Sequence, residues 1–252
     1  MLSKIFVYIL LVSCIYTFQN DNLAIKYHDE NQVSIIPRNL NNHKKTIIWL
    51  HGLGDDANGF VDLFKDKALS PFDDFTKIRL LTAPTMPVTI SGGLEMHSWF
   101  DLKDFDMNEK SYSFKDVENT TKFLNKILDE EVKHFNGDSL KVMIGGFSQG
   151  CAMALHAGLN YAKPLGGIIG LSGFKFKETE FPYKKIGNTP IFLSHGDKDV
   201  VFDHKIAHKS YSYNGFADKA KKMKWVLVKD LEHTVNGESM VAVRKFLKKL
   251  PI

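Results

Sequence analysis

The sequence predicts a single-domain α/β fold in which a mostly parallel sheet carries helices on both faces. Short runs rich in β-branched residues recur along the chain, and several are apolar throughout, as strands covered on both faces should be. Longer amphipathic helical patterns separate these runs, and this alternation is typical of parallel sheets. The length of 252 residues, with 44% hydrophobic and 25% charged residues, suits one globular domain with a sizeable core.

The predicted elements begin near residue 33. The strands are Val33–Ile36, Lys45–Leu50, Ile78–Ala83, Lys141–Gly146, Gly166–Ser172, Pro190–His195 and Lys224–Asp230. The clearest helical pattern is Ser113–Phe135, in which Val117, Leu124 and Val132 share one face and charged side chains cover the other. Because no repeat, linker or low-complexity segment interrupts this order, we expect residues 19–252 to form one domain.

The first 18 residues have a different composition. Lys4 precedes an uncharged apolar run, Ile5–Phe18, which polar residues follow. This is the order of a secretory signal peptide, and the run is shorter than the roughly 20 residues that a membrane span needs. We therefore expect residues 1–18 to be a signal peptide, cleaved between Ile15 and Asn22, and the protein to be secreted or lumenal. An uncleaved anchor is the alternative.

Such a leader would change the meaning of two other features. Cys14 would leave with it, so Cys151 would be the only thiol of the mature chain and no intrachain disulfide could form. The sequon Asn119–Thr121 would matter in a secretory compartment, and whether Asn119 carries a glycan stays open. The net charge of +4 and the absence of a basic stripe with interleaved aromatic residues give no indication of a nucleic-acid partner.

A glycine-rich corner lies between a predicted strand and a predicted helix. Ser148 is the centre of a Gly-x-Ser-x-Gly pattern, Gly146–Gly150, that follows the run Lys141–Gly146. At a nucleophile elbow the flanking positions must be small, because strand and helix approach each other too closely there for side chains. An isolated match is more often a plain glycine-rich turn, but the strand before it and the helix after it favour a catalytic serine.

A serine hydroxyl needs a base and a residue that orients this base, and at such an elbow they follow in the order serine, acid, histidine. Asp197 and Asp199 follow one later strand, and His233 follows the next. The carboxyl ends of parallel strands share one edge of the sheet, so we expect these groups to meet Ser148 there. For a developing oxyanion, the amide of Gln149 and an amide of the loop after the strand Lys45–Leu50 are candidate donors.

These residues carry a resemblance to the phospholipase/carboxylesterase family of α/β-hydrolases, the group of the acyl-protein thioesterases and lysophospholipases. The matching motifs are HGLGD (His51–Asp55), SWFD (Ser98–Asp101), GGFSQG (Gly145–Gly150), LSG (Leu171–Gly173), HGDKD (His195–Asp199) and the late His233. The resemblance implies an α/β-hydrolase fold without a large lid. It also implies a serine hydrolase that needs no cofactor and cleaves carboxylic esters or thioesters of acyl chains, carried by a lipid or an acylated protein.

By the same resemblance, Ser148 is the nucleophile, His233 the base and Asp199 the acid, and the amides of Leu53 and Gln149 form the oxyanion hole. The family commonly has proline after the aspartate, whereas this chain has Val200. Familiar members are mostly cytosolic, so the predicted leader is a departure, and cytosolic depalmitoylation is not carried over.

The segment Thr85–Phe100 follows a strand end and is rich in apolar side chains, glycine and proline. We expect it to be irregular, with part of it packed in the core and the rest lining a groove for medium or long acyl groups. The substrate-binding candidates are Met86, Val88, Leu94, Met96 and Trp99.

Two other functions stay open at this point. A catalytically silent binding protein could keep the fold, although no member of the triad is missing. An acyltransferase could use the same acyl-enzyme. A metal site is not expected, because His51, His97 and His195 do not form a spaced ligand set such as His-Glu-x-x-His, and a nucleophilic Cys151 is a remote alternative. The oligomeric state is not predicted.

Overall fold

A nine-stranded sheet forms the centre of the computed structural model, which describes residues 15–16, 22–29, 31–106, 108–179 and 189–250. The strands are β1 (Ile15–Tyr16), β2 (Leu23–Asp29), β3 (Gln32–Pro37), β4 (Lys45–Leu50), β5 (Thr76–Leu81), β6 (Thr85–Val88), β7 (Leu94–His97), β8 (Val142–Phe147), β9 (Gly167–Leu171), β10 (Ile191–Gly196) and β11 (Met223–Val228). The order across the sheet is β1-β2-β3-β5-β4-β8-β9-β10-β11, and β6 and β7 form a separate ribbon.

The six strands from β5 to β11 in this order are parallel, and β1 to β3 add an antiparallel edge. The mostly parallel sheet that the sequence predicts is therefore confirmed. The sequence prediction missed β2, which buries Ala24 and Ile25 but exposes Tyr27. A strand with so few buried residues near the edge of a sheet has a weak apolar pattern.

The helices are α1 (Val61–Lys65), α2 (Phe114–His134), α3 (Gln149–Asn160), α4 (His204–Ser210), α5 (Phe216–Lys219) and α6 (Gly237–Leu247). They cover both faces of the sheet, as predicted. Ile48 points to the core shared with α2 and α3, and its neighbour Ile47 points to the core shared with α1 and α6. This alternation follows from the two-residue period of a strand, and burying each such side chain contributes about 1.5–3 kcal/mol.

The segment Thr85–Phe100 is not irregular, so that prediction was wrong. Thr85–Val88 pairs antiparallel with Leu94–His97, and a short turn joins the two strands. Gly92 and Gly93 adopt φ angles of 69° and 83° in that turn, where a side chain would be strained. Proline and glycine break a central strand, but a two-stranded ribbon has two open edges and tolerates both.

The predicted signal peptide lies almost wholly outside the described residues, and it stays a prediction. Of its range the structure describes Ile15 and Tyr16, which pair antiparallel with Lys26 and Ile25. Within the described residues, no helix combines the length and the apolar composition that crossing a membrane requires.

Candidate active site

Three side chains from three strand ends meet at one edge of the sheet. Ser148 follows β8, Asp199 follows β10 and His233 follows β11. The Nε2 atom of His233 lies 2.9 Å from Oγ of Ser148, and its Nδ1 lies 2.6 Å from Oδ2 of Asp199. The ring of Phe147 lies against His233, with ring centroids 5.0 Å apart. The imidazole can therefore take a proton from the hydroxyl while the carboxylate holds its other nitrogen.

Ser148 occupies a tight corner between β8 and α3. Its φ and ψ are 53° and −118°, a conformation that a residue other than glycine rarely adopts. The amide of Ser148 donates to the carbonyl of Leu171 on the neighbouring strand at 2.8 Å, which holds the corner in place. A Cβ at Gly146 would meet the backbone of Gly150, and a Cβ at Gly150 would meet the backbone of Leu50. The predicted crowding around the serine is confirmed.

The carboxylate of Asp199 is buried and accepts four hydrogen bonds. The amides of Val201 and Phe202 donate to Oδ1 at 3.0 and 2.8 Å. Oδ2 lies 2.6 Å from Nδ1 of His233 and 3.0 Å from Nε2 of His195. Burial by itself would raise the pKa of Asp199, but these hydrogen bonds outweigh it and hold the pKa well below its usual range. Asp199 is therefore ionised in the folded protein at neutral pH.

Asp197 takes no part in this hydrogen-bond chain. Its amide donates to the carbonyl of Val228 at 3.0 Å, and its buried Oδ1 has no hydrogen-bond partner within the described residues. Of the two acids that the sequence offers, Asp199 is the one that contacts His233.

The two residues predicted to supply oxyanion donors lie at the same pocket as Ser148. Leu53 lies in the loop after β4 and Gln149 begins α3, and both line the pocket beside Ser148. The first amide of a helix has no acceptor within that helix, and the amide of Leu53 donates to no main-chain acceptor in the described part of the chain. Both amides therefore remain candidate donors to an oxyanion.

The side chain of Gln149 performs a task that the sequence did not predict. Its Nε2 donates to Oγ of Ser98 and to the carbonyl of Phe100, both at 2.9 Å, and its Oε1 accepts from the amide of Trp99 at 2.9 Å. The indole of Trp99 donates in turn to the carbonyl of His51 at 2.9 Å. This buried network connects the start of α3 with the loop that carries Leu53. The sequence contains both motifs of this network, SWFD and FSQG. Their spacing along the chain does not reveal that Gln149 contacts the SWFD segment.

The serine pocket, as we call the cavity at Ser148, has a volume of about 250 Å³. Its lining residues are Gly52, Leu53, Asp55, Phe100, Leu102, Phe105, Phe147, Ser148, Gln149, Ser172, Gly173, Phe174, Val201, Phe202 and His233. Most of these side chains are aromatic or aliphatic, and the polar ones include Ser148 and its partner His233. Such a site suits a substrate with an apolar chain and one polar, reacting group.

The five predicted substrate-binding residues are all described by the structure, and none of them lines the serine pocket. Val88 and Trp99 are completely buried in the core, and Leu94 on the ribbon is 64% exposed. Met86 lines a different pocket, and Met96 lies beside Gly54. Met86, Val88, Leu94 and Met96 belong to the ribbon of β6 and β7, whereas Trp99 follows it, and a role of these residues in substrate binding stays a prediction.

Part of the pocket lining could have been predicted from the sequence, because residues that follow parallel strands lie at the same edge of the sheet as the triad. Phe174 follows the LSG motif after β9, and Phe202 follows Asp199 after β10, so both lie beyond the carboxyl ends of strands. Phe100 is the residue of the segment Thr85–Phe100 that reaches the pocket.

Cys151 is completely buried beneath the elbow, where burial raises the pKa of its thiol to about 12. The thiol is therefore protonated at neutral pH and packs as a small apolar side chain. In the described part of the chain, no group of three or more histidine, cysteine, aspartate or glutamate side chains is arranged to hold a metal ion.

Comparison with known proteins gives a consistent family assignment. A sequence model of the phospholipase/carboxylesterase family matches residues 31–251. Acyl-protein thioesterase 1 of Yarrowia lipolytica is 30% identical over 212 residues, which are 82% of this chain and 92% of that protein. Acyl-protein thioesterase 1 of Schizosaccharomyces pombe is 31% identical over 210 residues, covering 81% and 90%.

Solved structures agree with this assignment. The crystal structure of Arabidopsis thaliana SOBER1 matches with a TM-score of 0.70 at 27% identity, covering 81% of this chain and 98% of that one. Zea mays acyl-protein thioesterase 2 matches with a TM-score of 0.72 at 24% identity, covering 87% and 98%, and at that identity the likeness concerns the fold.

Proposed function

The chain belongs to the phospholipase/carboxylesterase family of α/β-hydrolases, a family of serine esterases and thioesterases, and from this premise we propose that Ser148, His233 and Asp199 hydrolyse esters or thioesters of acyl chains. The observation that carries the proposal is the unbroken hydrogen-bond path from Oγ of Ser148 through His233 to Asp199, beside a mostly apolar pocket that Ser148 and His233 line. The substrate is an acyl lipid or an acylated protein.

The proposed reaction has two acyl-transfer steps. Oγ of Ser148 attacks the acyl carbonyl while Nε2 of His233 takes its proton, and the amides of Leu53 and Gln149 stabilise the oxyanion that forms. His233 then gives the proton to the departing alcohol or thiol. Water attacks the acyl-enzyme with the same histidine as base, which releases the carboxylic acid and restores Ser148. Asp199 stays ionised throughout and stabilises the imidazolium.

The proposed nucleophile is tested with Ser148→Ala. We expect this variant to lose p-nitrophenyl ester hydrolysis and labelling by a fluorophosphonate, because the attacking oxygen is removed, while its Tm stays near that of the wild type. Ser113→Ala is the matched control, since this serine precedes α2 and its side chain makes no capping hydrogen bond. It should label and hydrolyse like the wild type. Equal labelling of Ser148→Ala would contradict the assignment.

We further propose that the serine pocket binds the acyl chain. Each buried methylene contributes up to about 0.8 kcal/mol, so kcat/KM for p-nitrophenyl esters should rise several-fold per two carbons from C2 to about C8. Phe105 is 40% exposed at the pocket wall, and Phe105→Ala should flatten this rise. Leu94→Ala, on the ribbon, should leave it unchanged. A wild-type profile that peaks at acetate would contradict an acyl pocket and indicate a small-ester carboxylesterase.

A further inference from the structure

His195 is a histidine with no part in the reaction as described, yet it contacts the acid of the proposed triad. It lies near the end of β10 and is completely buried. Its Nε2 lies 2.8 Å from the carbonyl oxygen of Phe202 and 3.0 Å from Oδ2 of Asp199. Both of these atoms are acceptors, so the tautomer that fits carries its hydrogen on Nε2 and shares it between them.

The second ring nitrogen of His195, Nδ1, makes no hydrogen bond within the described residues, so packing alone does not explain a histidine at this position. This atom is buried. The ring lies among aromatic side chains, with its centroid 5.8 Å from that of Phe202 and 6.1 Å from that of Trp225. An apolar side chain would fill this space without leaving a polar atom unpaired, so the advantage of histidine must lie at Nε2.

The two acceptors of His195 belong to one short turn, 199–202. Oδ1 of Asp199 accepts from the amides of Val201 and Phe202, while the carbonyl of Phe202 accepts from His195. His195 therefore closes this turn from the side of the sheet. Val200 is 91% exposed, and valine leaves φ free where proline would fix it, so the turn depends on these hydrogen bonds for its shape.

We propose that His195 is a positioning residue that aims Oδ2 of Asp199 at His233 and, through the carbonyl of Phe202, fixes one wall of the serine pocket. The proposal rests on the triad of the proposed function, since it assigns His195 a role only through Asp199. Phe202 lines the pocket, so a single imidazole connects the orientation of the acid with the shape of the site.

Removal of this donor has a predictable electrostatic effect. Asp199 would keep its negative charge but share it with one donor fewer, so its attraction for a protonated His233 would grow. Among the acidic groups, Asp55 lines the serine pocket with His233, Glu232 precedes His233 in the chain and Asp197 follows β10, and none of them is altered. His233 should therefore hold its proton to higher pH, and the less constrained carboxylate should orient it less well.

The test compares His195→Gln, whose amide nitrogen reaches near the position of Nε2, with His195→Leu, which has no donor. For His195→Leu we expect kcat to fall about 10- to 100-fold and the acid limb of the kcat/KM profile to move to higher pH. For His195→Gln we expect most of kcat and the wild-type limb. If the leucine variant does not fold, His195→Asn replaces it, because its shorter side chain cannot reach Asp199.

His156→Leu is the matched control, because His156 is also a buried histidine, bonded to Thr179 through Nδ1 and remote from the triad. It should lower Tm without moving the pH profile. The proton NMR signal of His233 gives a second readout that does not require activity, and it should titrate at higher pH in His195→Leu.

An unmoved pH profile and NMR titration in His195→Leu, or equal losses in His195→Gln and His195→Leu, would overturn the proposal. Failure of the proposed function looks different. In that case wild-type protein would be inactive towards acyl esters, or Ser148→Ala would keep full activity, whereas the His233 titration would still report on His195.

Discussion

At the scale of single residues, the site depends on polar atoms whose partners leave little freedom. Ser148 holds a backbone conformation that costs on the order of 1–3 kcal/mol, and the hydrogen bond from its amide to Leu171 helps to maintain it. Asp199 is held by four donors, and His233 bridges the two. Each of the three is thus fixed before a substrate arrives, which is the condition for rapid proton transfer.

The role of Asp199 predicts a large difference between two neighbouring acids. Asp199→Asn should lower kcat about 10⁴-fold, because the amide presents a donor or an uncharged oxygen to Nδ1 of His233 and no longer stabilises the imidazolium. Asp197→Asn is the matched control and should change kcat only a few-fold, since Asp197 does not contact the histidine. Steady-state kinetics with Tm measurements check both variants, and the reverse ranking would move the acid of the triad to Asp197.

Single residues were predictable from the sequence where chain order and strand ends determine them. Order and position after strands located Ser148, His233 and a pair of acids, from which the family resemblance selected Asp199, and the structure brings these three side chains together. The pocket lining was not predictable in the same way, because it depends on which side chains point into the cavity. The contact of His195 with Asp199 was equally hidden, since a histidine four residues before an aspartate has no distinctive spacing.

At the scale of elements, the close approach of β8 and α3 determines the position of Ser148 in the turn between them. At Gly146 and Gly150 the strand, the helix and the backbone of the neighbouring β4 are so close that a Cβ would collide with main-chain atoms. The helix therefore begins directly after the strand, with Ser148 as the residue that precedes its first turn. The glycine pattern was visible in the sequence because this constraint is local.

Other elements were predicted less well for physical reasons. The helix predicted at Ser113–Phe135 is found at Phe114–His134, since its apolar stripe is long and regular. The ribbon of β6 and β7 was missed, because its proline and glycine residues are those of a loop. Its strands are held by pairing with each other, which no local pattern reveals.

Helix α2 is tied to the sheet by a buried acid, and this predicts a pH-dependent stability. Glu131 is 3% exposed and binds Lys77 at 2.6 Å, Arg79 at 3.0 Å and the hydroxyl of Thr46 at 3.1 Å. Burial by itself raises the pKa of Glu131, but the two cations and the hydroxyl outweigh it and lower the pKa below its ordinary 4.5. The resulting stability is present above the unfolded-state pKa and is lost as pH falls towards the folded-state pKa.

Glu131→Gln should therefore lower the free energy of unfolding by about 2–4 kcal/mol near neutral pH, because it removes the buried negative charge that pairs with the part-buried Lys77 and Arg79. The difference from the wild type should shrink below pH 4.5, where the unfolded chain binds a proton. Glu130→Gln is the matched control, since Glu130 pairs with Arg79 but is 59% exposed, and it should cost less than about 1 kcal/mol. Urea unfolding at several pH values checks both, and a pH-independent difference would contradict this account.

At the scale of the whole molecule, the sheet order explains why the chain order of the triad was informative. β8, β9, β10 and β11 are neighbours in sequence and in space, and all are parallel. Their carboxyl ends therefore form one continuous edge, along which Ser148, Asp199 and His233 appear in chain order. The antiparallel strands β1 to β3 lie at the far side of the sheet and contribute nothing to this edge.

The N-terminal strands lie far from the edge that carries the triad, so changes at the N-terminus need not affect the site. We propose that the chain enters the secretory pathway and is cleaved between Ile15 and Asn22. The support is the order of Lys4, an uncharged apolar run and polar residues. β1 joins the sheet through two residues, so its loss would leave β2 paired with β3 over its length and the catalytic edge untouched. Cleavage is thus compatible with a stable, active domain.

The leader is tested by the mass and N-terminal sequence of the chain isolated from cells that express it naturally. We expect the first residue to lie between Ile15 and Asn22. Leu11→Arg should abolish this processing, because a charge interrupts the apolar run that the secretion machinery binds, whereas Ser3→Arg adds the same charge before the run and should be processed normally. Wild-type protein that keeps Met1 in a soluble cytosolic pool would refute the leader.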